Sequence, residues 1–194
     1  MPDRTEREGP VLHHLLTQDA DLRMVPTDRA ELAAAVDRLH EELSAGAAPG
    51  RTRVLTRWIG IGHLVLGNHD EARAFLRRAL ELAVADGDAR AVVATGVNSG
   101  DAHRYAGDLP AADACYRSAL DTARSACPEL LDFALQHFGK HLAERGDLLG
   151  ARAHLREALR LRDAKGDAEL IGSTRDALDL VESRLRAAGG GGGA

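Results

Sequence analysis

The chain has 194 residues, 44% of them hydrophobic and 28% charged, which suits one folded domain or a short repeat array and not a disordered polymer. A net charge of −5 carries no nucleic-acid footprint, no run approaches the roughly 18 apolar residues that span a membrane, and two cysteines, Cys115 and Cys127, are too few for a disulfide scaffold or a zinc knuckle. Aromatics are only 3%, so Leu, Ala and Val must build the core, a palette that favours helices over sheets.

In chain order, Met1 to Pro10 is charged and lacks the apolar stretch of a secretory signal, so the expected compartment is cytoplasmic. Residues 1–26 hold one apolar patch, Val11-Leu12 with Leu15-Leu16, and are expected to be partly disordered. Asp28-Arg29-Ala30-Glu31 has the spacing of an N-cap followed by Glu at the third helical position. The helix it opens, carried by Leu32, Val36, Leu39 and Leu43 to about Ala45, reads as the second helix of a degenerate leading repeat. A Gly-, Ala- and Pro-rich loop, Ala45 to Gly50, follows it.

From there the chain repeats itself. Gly67–Leu80, Gly107–Leu120 and Gly146–Leu159 align without gaps, with glycines 40 and 39 residues apart. Seven residues before each lies a further glycine, Gly60, Gly100 and Gly139. Small or apolar residues then fall at i, i+3, i+4, i+7 and i+8: Ala72, Phe75, Leu76, Ala79 and Leu80 in the first unit, with the same spacing in the other two. That spacing makes one buried stripe per helix, with Arg, Asp and Glu opposite. The turn glycine breaks the preceding helix, and the Asn or Asp after it can cap the next. A glycine inside a helix costs about 1 kcal/mol against alanine. Three in register need a packing reason, which is close approach of the partner helix. Each unit is thus a helical hairpin, half buried until its neighbours stack into a solenoid.

These residues resemble the tetratricopeptide repeat family over roughly residues 51 to 187. The match is the small residue of the first helix (Gly60, Gly100, Gly139), the turn glycine, and the two alanines of the second helix, with Leu76, Tyr116 and Leu155 between them. Two features depart from the pattern. The terminal proline is replaced by Val84, Arg124 and Asp163, and the period exceeds the usual 34, as in bacterial regulator and kinesin-light-chain-like members. The resemblance implies an all-α fold, a right-handed α-α superhelix of repeats at about 51–87, 88–127 and 128–166. A cap helix follows at 168–187, where Asp179 replaces the packing glycine, and then a Gly-rich flexible tail, 188–194. The preponderance of Arg over Lys, with Lys140 and Lys165 alone, points to a GC-rich bacterial genome.

In this family first helices line a concave groove that holds a partner peptide or helix. The register carries that role to Arg57, Trp58 and Ile61 in the first unit and to Asn98, Asp101 and Arg104 in the second. Phe133, Gln136, His137 and Lys140 are the candidates in the third. An amide such as Asn98 can donate to and accept from a peptide backbone at once, while on a helix it can equally face water. Trp58 can be a groove anchor or an inter-helix core residue. The clamp that some members use for a partner's C-terminal carboxylate is not expected. Arg57 and Asn98 fit two of its places, but Ile61, Phe133 and His137 stand at the other three.

Nine histidines raise the question of metal. His137 and His141 have i, i+4 ligand spacing but no carboxylate between them, and His63 and His103 share a repeat position usually given to packing, so no metal and no cofactor are expected. The chain has no phosphate-binding glycine loop, nucleophile elbow or Cys–His pair poised for catalysis, so it is not expected to be an enzyme. The function expected is a non-catalytic protein-protein interaction module with a protein or peptide partner and neither nucleic acid nor membrane. Self-association into a scaffold and a small-ligand or signal-peptide sensor acting in trans stay open as alternatives.

Overall fold

The computed structural model describes residues 12–190, so the expectations for residues 1–11 and for 191–194 of the tail lie outside the described residues, while 188–190, expected to open that tail, continue the last helix. Eight α-helices follow in order: α1 Arg29–Ser44, α2 Pro49–Leu66, α3 His69–Ala85, α4 Ala89–Tyr105, α5 Leu109–Ala126, α6 Leu131–Glu144, α7 Leu148–Lys165 and α8 Ala168–Gly190. Pairs α2–α3, α4–α5 and α6–α7 are antiparallel hairpins; the second helix of each packs on the first helix of the next, and α7 packs on α8. First helices also touch one another in turn, α2 to α4 to α6 to α8, so they form one layer and α1, α3, α5 and α7 the other. This is a helical-hairpin solenoid.

The three in-register glycines sit at the tightest points of the hairpins. A Cβ at Gly60 would lie 2.7 Å from Leu76 Cγ, at Gly100 2.6 Å from Tyr116 Cε1, and at Gly139 2.8 Å from Leu155 Cγ. No Cβ fits at such distances, so the large residue of the second helix occupies the space that the glycine leaves. Two further contacts have no counterpart in the repeat register: Gly62 against Val36 of α1, as close as these, and Gly96 against Ala119 of α5, looser at 3.3 Å. The first shows how α1 completes a leading pair, by lying on the far side of α2 over a second missing side chain.

The turns obey one chemistry. At Gly67 the backbone enters the left-handed region (φ 82°); its N–H donates to Leu64 O and that of Asn68 to His63 O, closing the orphan carbonyls of α2. Gly107 and Gly146 repeat the pattern. The next helix is then capped by Asp88, Asp108, Asp147 and Asp167, accepting from Ala91, Ala111, Gly150 and Leu170 N–H. Asn68 is the exception, because its amide instead meets His63 Nδ1 at 3.2 Å. Asp28 caps α1 as its spacing implies, accepting from Ala30 and Glu31.

The segment before α1 departs most from the sequence expectation. Where partial disorder is expected, residues 12–26 form a 3-10 turn, Leu12–Leu15, and a short antiparallel hairpin, β1 Leu16–Gln18 with β2 Met24–Pro26. Leu12 and Leu15 are buried in one core cluster with α1, α2 and α3, and Leu22 packs on the other, which α4 to α8 share. Asp19 closes the turn, its side chain accepting from Asp21 and Arg23 N–H.

Candidate partner-binding site

The first-helix layer carries the ten candidate residues, and the structure divides eight of them into three groups, while Gln136 joins a hydrogen-bond network around Arg162 and Lys140 is buried beside a smaller cavity. Trp58 and Ile61 belong to the core of the first unit. Asp101, Arg104 and His137 are drawn together into a buried polar cluster. Arg57 and Asn98 lie near the middles of α2 and α4 and Phe133 near the start of α6, and Arg57 and Phe133 line an open cavity.

The cluster centres on Asp101, which is fully buried. Its Oδ1 accepts from Tyr116 Oη at 2.6 Å and from Arg104 Nη2 at 3.0 Å, while His137 Nδ1 lies 2.8 Å from Oδ2. Burial works against ionising this carboxyl; His137 and Arg104 outweigh it and hold the group well below the usual carboxylate range. The same burial pushes the His137 imidazole down. Arg104 reaches Glu144 as well, at 3.6 Å, tying α4 to α6. A second network surrounds Arg162 of α7, which donates to Asp132 at 3.0 Å, to Thr174 at 2.8 Å and to Gln136, while Gln136 Nε2 donates to Ser173. These are inter-helix fasteners: every named partner is on another element or one turn away, and together they fix the stacking of α4, α6, α7 and α8.

The hairpin before α1 lies across the C-terminal ends of the first helices. Met24 N–H donates to Tyr105 Oη at 2.6 Å, Arg23 pairs with Glu144 and stands 5.2 Å from the Tyr105 ring, and Asp21 accepts from Arg184 at 3.2 Å. His13 meets the Trp58 ring edge-on at 5.0 Å. Beneath the hairpin remains a cavity of about 180 Å³ between Leu22, Lys140, Glu144, Val181 and Arg184. Lys140 is 5% exposed, and burial lowers its ammonium to about 8.

The opposite end of the layer is open. A cavity of about 600 Å³ runs over the N-terminal parts of α2 and α4 to Leu130 and Phe133. Arg51, Arg53, Arg57 and Arg90 line it with a single carboxylate, Asp88, beside apolar Val54, Ala91 and Ala94. Arg57 Nε donates to Asn98 Oδ1 at 2.9 Å, and the guanidinium lies 5.6 Å from the Trp58 ring. Asn98 is thus engaged by a side chain of its own chain, which the repeat register does not reveal because it relates positions within a unit and not between units. Arg51, Arg53 and Arg90 were likewise outside the register carried over from the family; the closely spaced arginines before Trp58 are a sequence sign of the first two, and Arg90 has none.

Among the described residues no group of three or more His, Cys, Asp or Glu could hold a metal, and no helix is long and apolar enough to cross a membrane. His141 lies 3.6 Å from Asp113 and stacks on Phe138, while His63 stacks on Phe75 and faces His40 at 3.1 Å.

A stack of helical hairpins nested through glycine contacts, with a polar-lined layer of first helices, defines a helical-repeat protein. Residues 51–125, the first two hairpins, match the family model described as tetratricopeptide repeat. Its fold is similar to that of RapI in its apo form (TM-score 0.67, 16% identity, 82% of this chain and 45% of that one). It is also similar to BtubC (BKLC) from P. vanneervenii (TM-score 0.60, 17% identity, 90% of this chain and 80% of that one). The chain therefore spans less than half the length of RapI. No curated protein matches it in sequence.

Proposed function

We propose that the protein is a non-catalytic adaptor of the cytoplasm that holds a segment of a partner protein against the open end of its first-helix layer. One observation carries this reading: of the two ends of that layer, the chain's own hairpin covers one, and the other presents a cavity of about 600 Å³ spanning three helices, with Arg57, held by Asn98, in its wall. Tetratricopeptide repeats are interaction modules as a class, and buried aromatic and arginine anchors are the usual source of binding energy at such surfaces.

Photo-crosslinking in a native extract tests it. A crosslinking residue at Ala94, in the cavity wall, should capture a discrete partner that the same residue at exposed Val84 of α3 does not. Identical species at both positions would refute the assignment, and crosslinks only to a second copy of this chain would favour self-association. A second reading, a small-ligand sensor, draws on the cavity volume, which lies within the range of small-molecule sites. Saturable thermal stabilisation by a small molecule, with no partner at Ala94, would favour it.

A further inference from the structure

The open cavity concentrates positive charge in a chain whose net charge is −5. Three of its four arginines already have carboxylates. Arg51 forks onto Glu42 at 2.6 and 2.8 Å, Arg53 reaches Asp86 and Asp88 at 3.0 and 2.8 Å, and Arg90 lies 3.9 Å from Glu129. Arg57 differs. Its one acceptor is the neutral amide oxygen of Asn98, bonded through Nε, and its two terminal nitrogens have no acceptor among the described residues. Burial, with Arg53 and Arg90 nearby, lowers this guanidinium to about 10, so the site penalises the very cation it holds. A half-buried guanidinium that keeps its fork free toward a cavity is geometrically ready for a carboxylate.

We infer that the cavity is a docking site for an acidic stretch of a partner polypeptide, with a side-chain carboxylate on the Arg57 fork and an apolar residue against Leu130 and Phe133. Successive first helices are spaced roughly 8–10 Å apart, so α2 to α6 is on the order of 16–20 Å. An extended segment of about five or six residues covers that span. A small dicarboxylate reaches only one wall, which is why the occupant is a peptide. The site is also distinct from a C-terminal carboxylate clamp, since Ile61 is in the core and His137 is committed to Asp101. This inference rests on the adaptor reading and names the chemistry of its partner.

The test uses the full chain and its single tryptophan, Trp58, which Arg57 overlies. The acetylated, amidated hexapeptide Glu-Leu-Asp-Glu-Leu-Asp should change Trp58 fluorescence saturably, and less strongly as salt is raised from 0.05 to about 0.5 M. Its Gln-Leu-Asn-Gln-Leu-Asn analogue should bind on the order of tenfold more weakly or not at all, as loss of a charge-assisted hydrogen bond requires. Arg57→Gln should cost a similar factor. The exposed Arg90→Gln, which leaves the packing of Arg57 intact, should cost a few-fold, and Arg78→Gln on α3 nothing. Equal binding of the two peptides, full binding by Arg57→Gln with its helix content unchanged, or succinate binding as well as the peptide would each overturn the inference. If a partner is captured at Ala94 but the acidic peptide does not bind, the adaptor reading stands and the acidic class falls.

Discussion

Lys140 keeps its ammonium where little water reaches it, on a helix that also faces Arg104 and Arg162. Burial disfavours its charge, Asp101 and Asp176 oppose that, and the balance lies at about 8, below the roughly 10.4 of an exposed lysine. The sign follows by linkage. A folded value below the unfolded one gives stability that is present above the unfolded value and lost as pH falls through the folded one. Over pH 10 down to 8 the unfolded chain gains a proton that the folded chain resists, so this residue erodes stability on descent. Lys140→Met should remove that slope. The difference in Tm between wild type and variant is expected to shift in favour of the variant as pH drops from about 10 to 8, and then to level off. A constant difference across that range would show that the ammonium is hydrated in the cavity beneath the hairpin. The residue was legible as a first-helix position; its burial was not, because the periodicity of a single helix says nothing about what lies across from it.

A hairpin of this array depends on one point of contact more than on any other. At Gly100 the Tyr116 ring fills the space of the missing side chain, and the ring's hydroxyl is also the donor to Asp101. Gly100→Leu must displace both, and overpacking of a close-packed interior typically costs 1–3 kcal/mol. Urea unfolding should show at least that loss. Gly172→Ala in α8 is the control, since nothing lies within 4 Å of a Cβ there and alanine is the better helix former by up to about 1 kcal/mol. Equal stability of the two variants would remove the glycine contacts from the account of the fold. The hairpins could be read in the sequence because each signal is local and recurs: turn glycine, capping acid, apolar stripe. The 12–26 segment could not, since strands of three residues have no alternation to display and the hairpin's hold is on Tyr105, Glu144 and Arg184, far along the chain. The buried cluster escaped for a related reason. Asp101, Arg104 and His137 look like solvated helix charges until α4 and α6 are placed side by side.

A solenoid is stabilised by contacts between neighbours, so its ends ordinarily loosen independently. This chain adds a connection of another kind. From His13 on Trp58, through Met24 on Tyr105 and Arg23 on Glu144, to Asp21 on Arg184, one segment touches α2, α4, α6 and α8 in turn. Its polar contacts are partly exposed and individually worth about 1 kcal/mol or less, while burial of Leu12 and Leu15 contributes about 1.5–3 kcal/mol each. The segment therefore anchors at α1 and α2 through apolar burial and reaches the last helix through weaker, specific contacts. Removing residues 1–26 should cost several kcal/mol overall. It should also speed amide exchange in α8, even though α8 is last in the chain and the deletion first. Tyr105→Phe and Arg184→Ala, which cut the polar contacts without touching the Leu12 anchor, should reproduce the faster exchange in α8 with little loss in the first unit. Unchanged α8 protection in all three would mean that the segment merely covers the layer, and that the two ends of the array unfold without reference to each other.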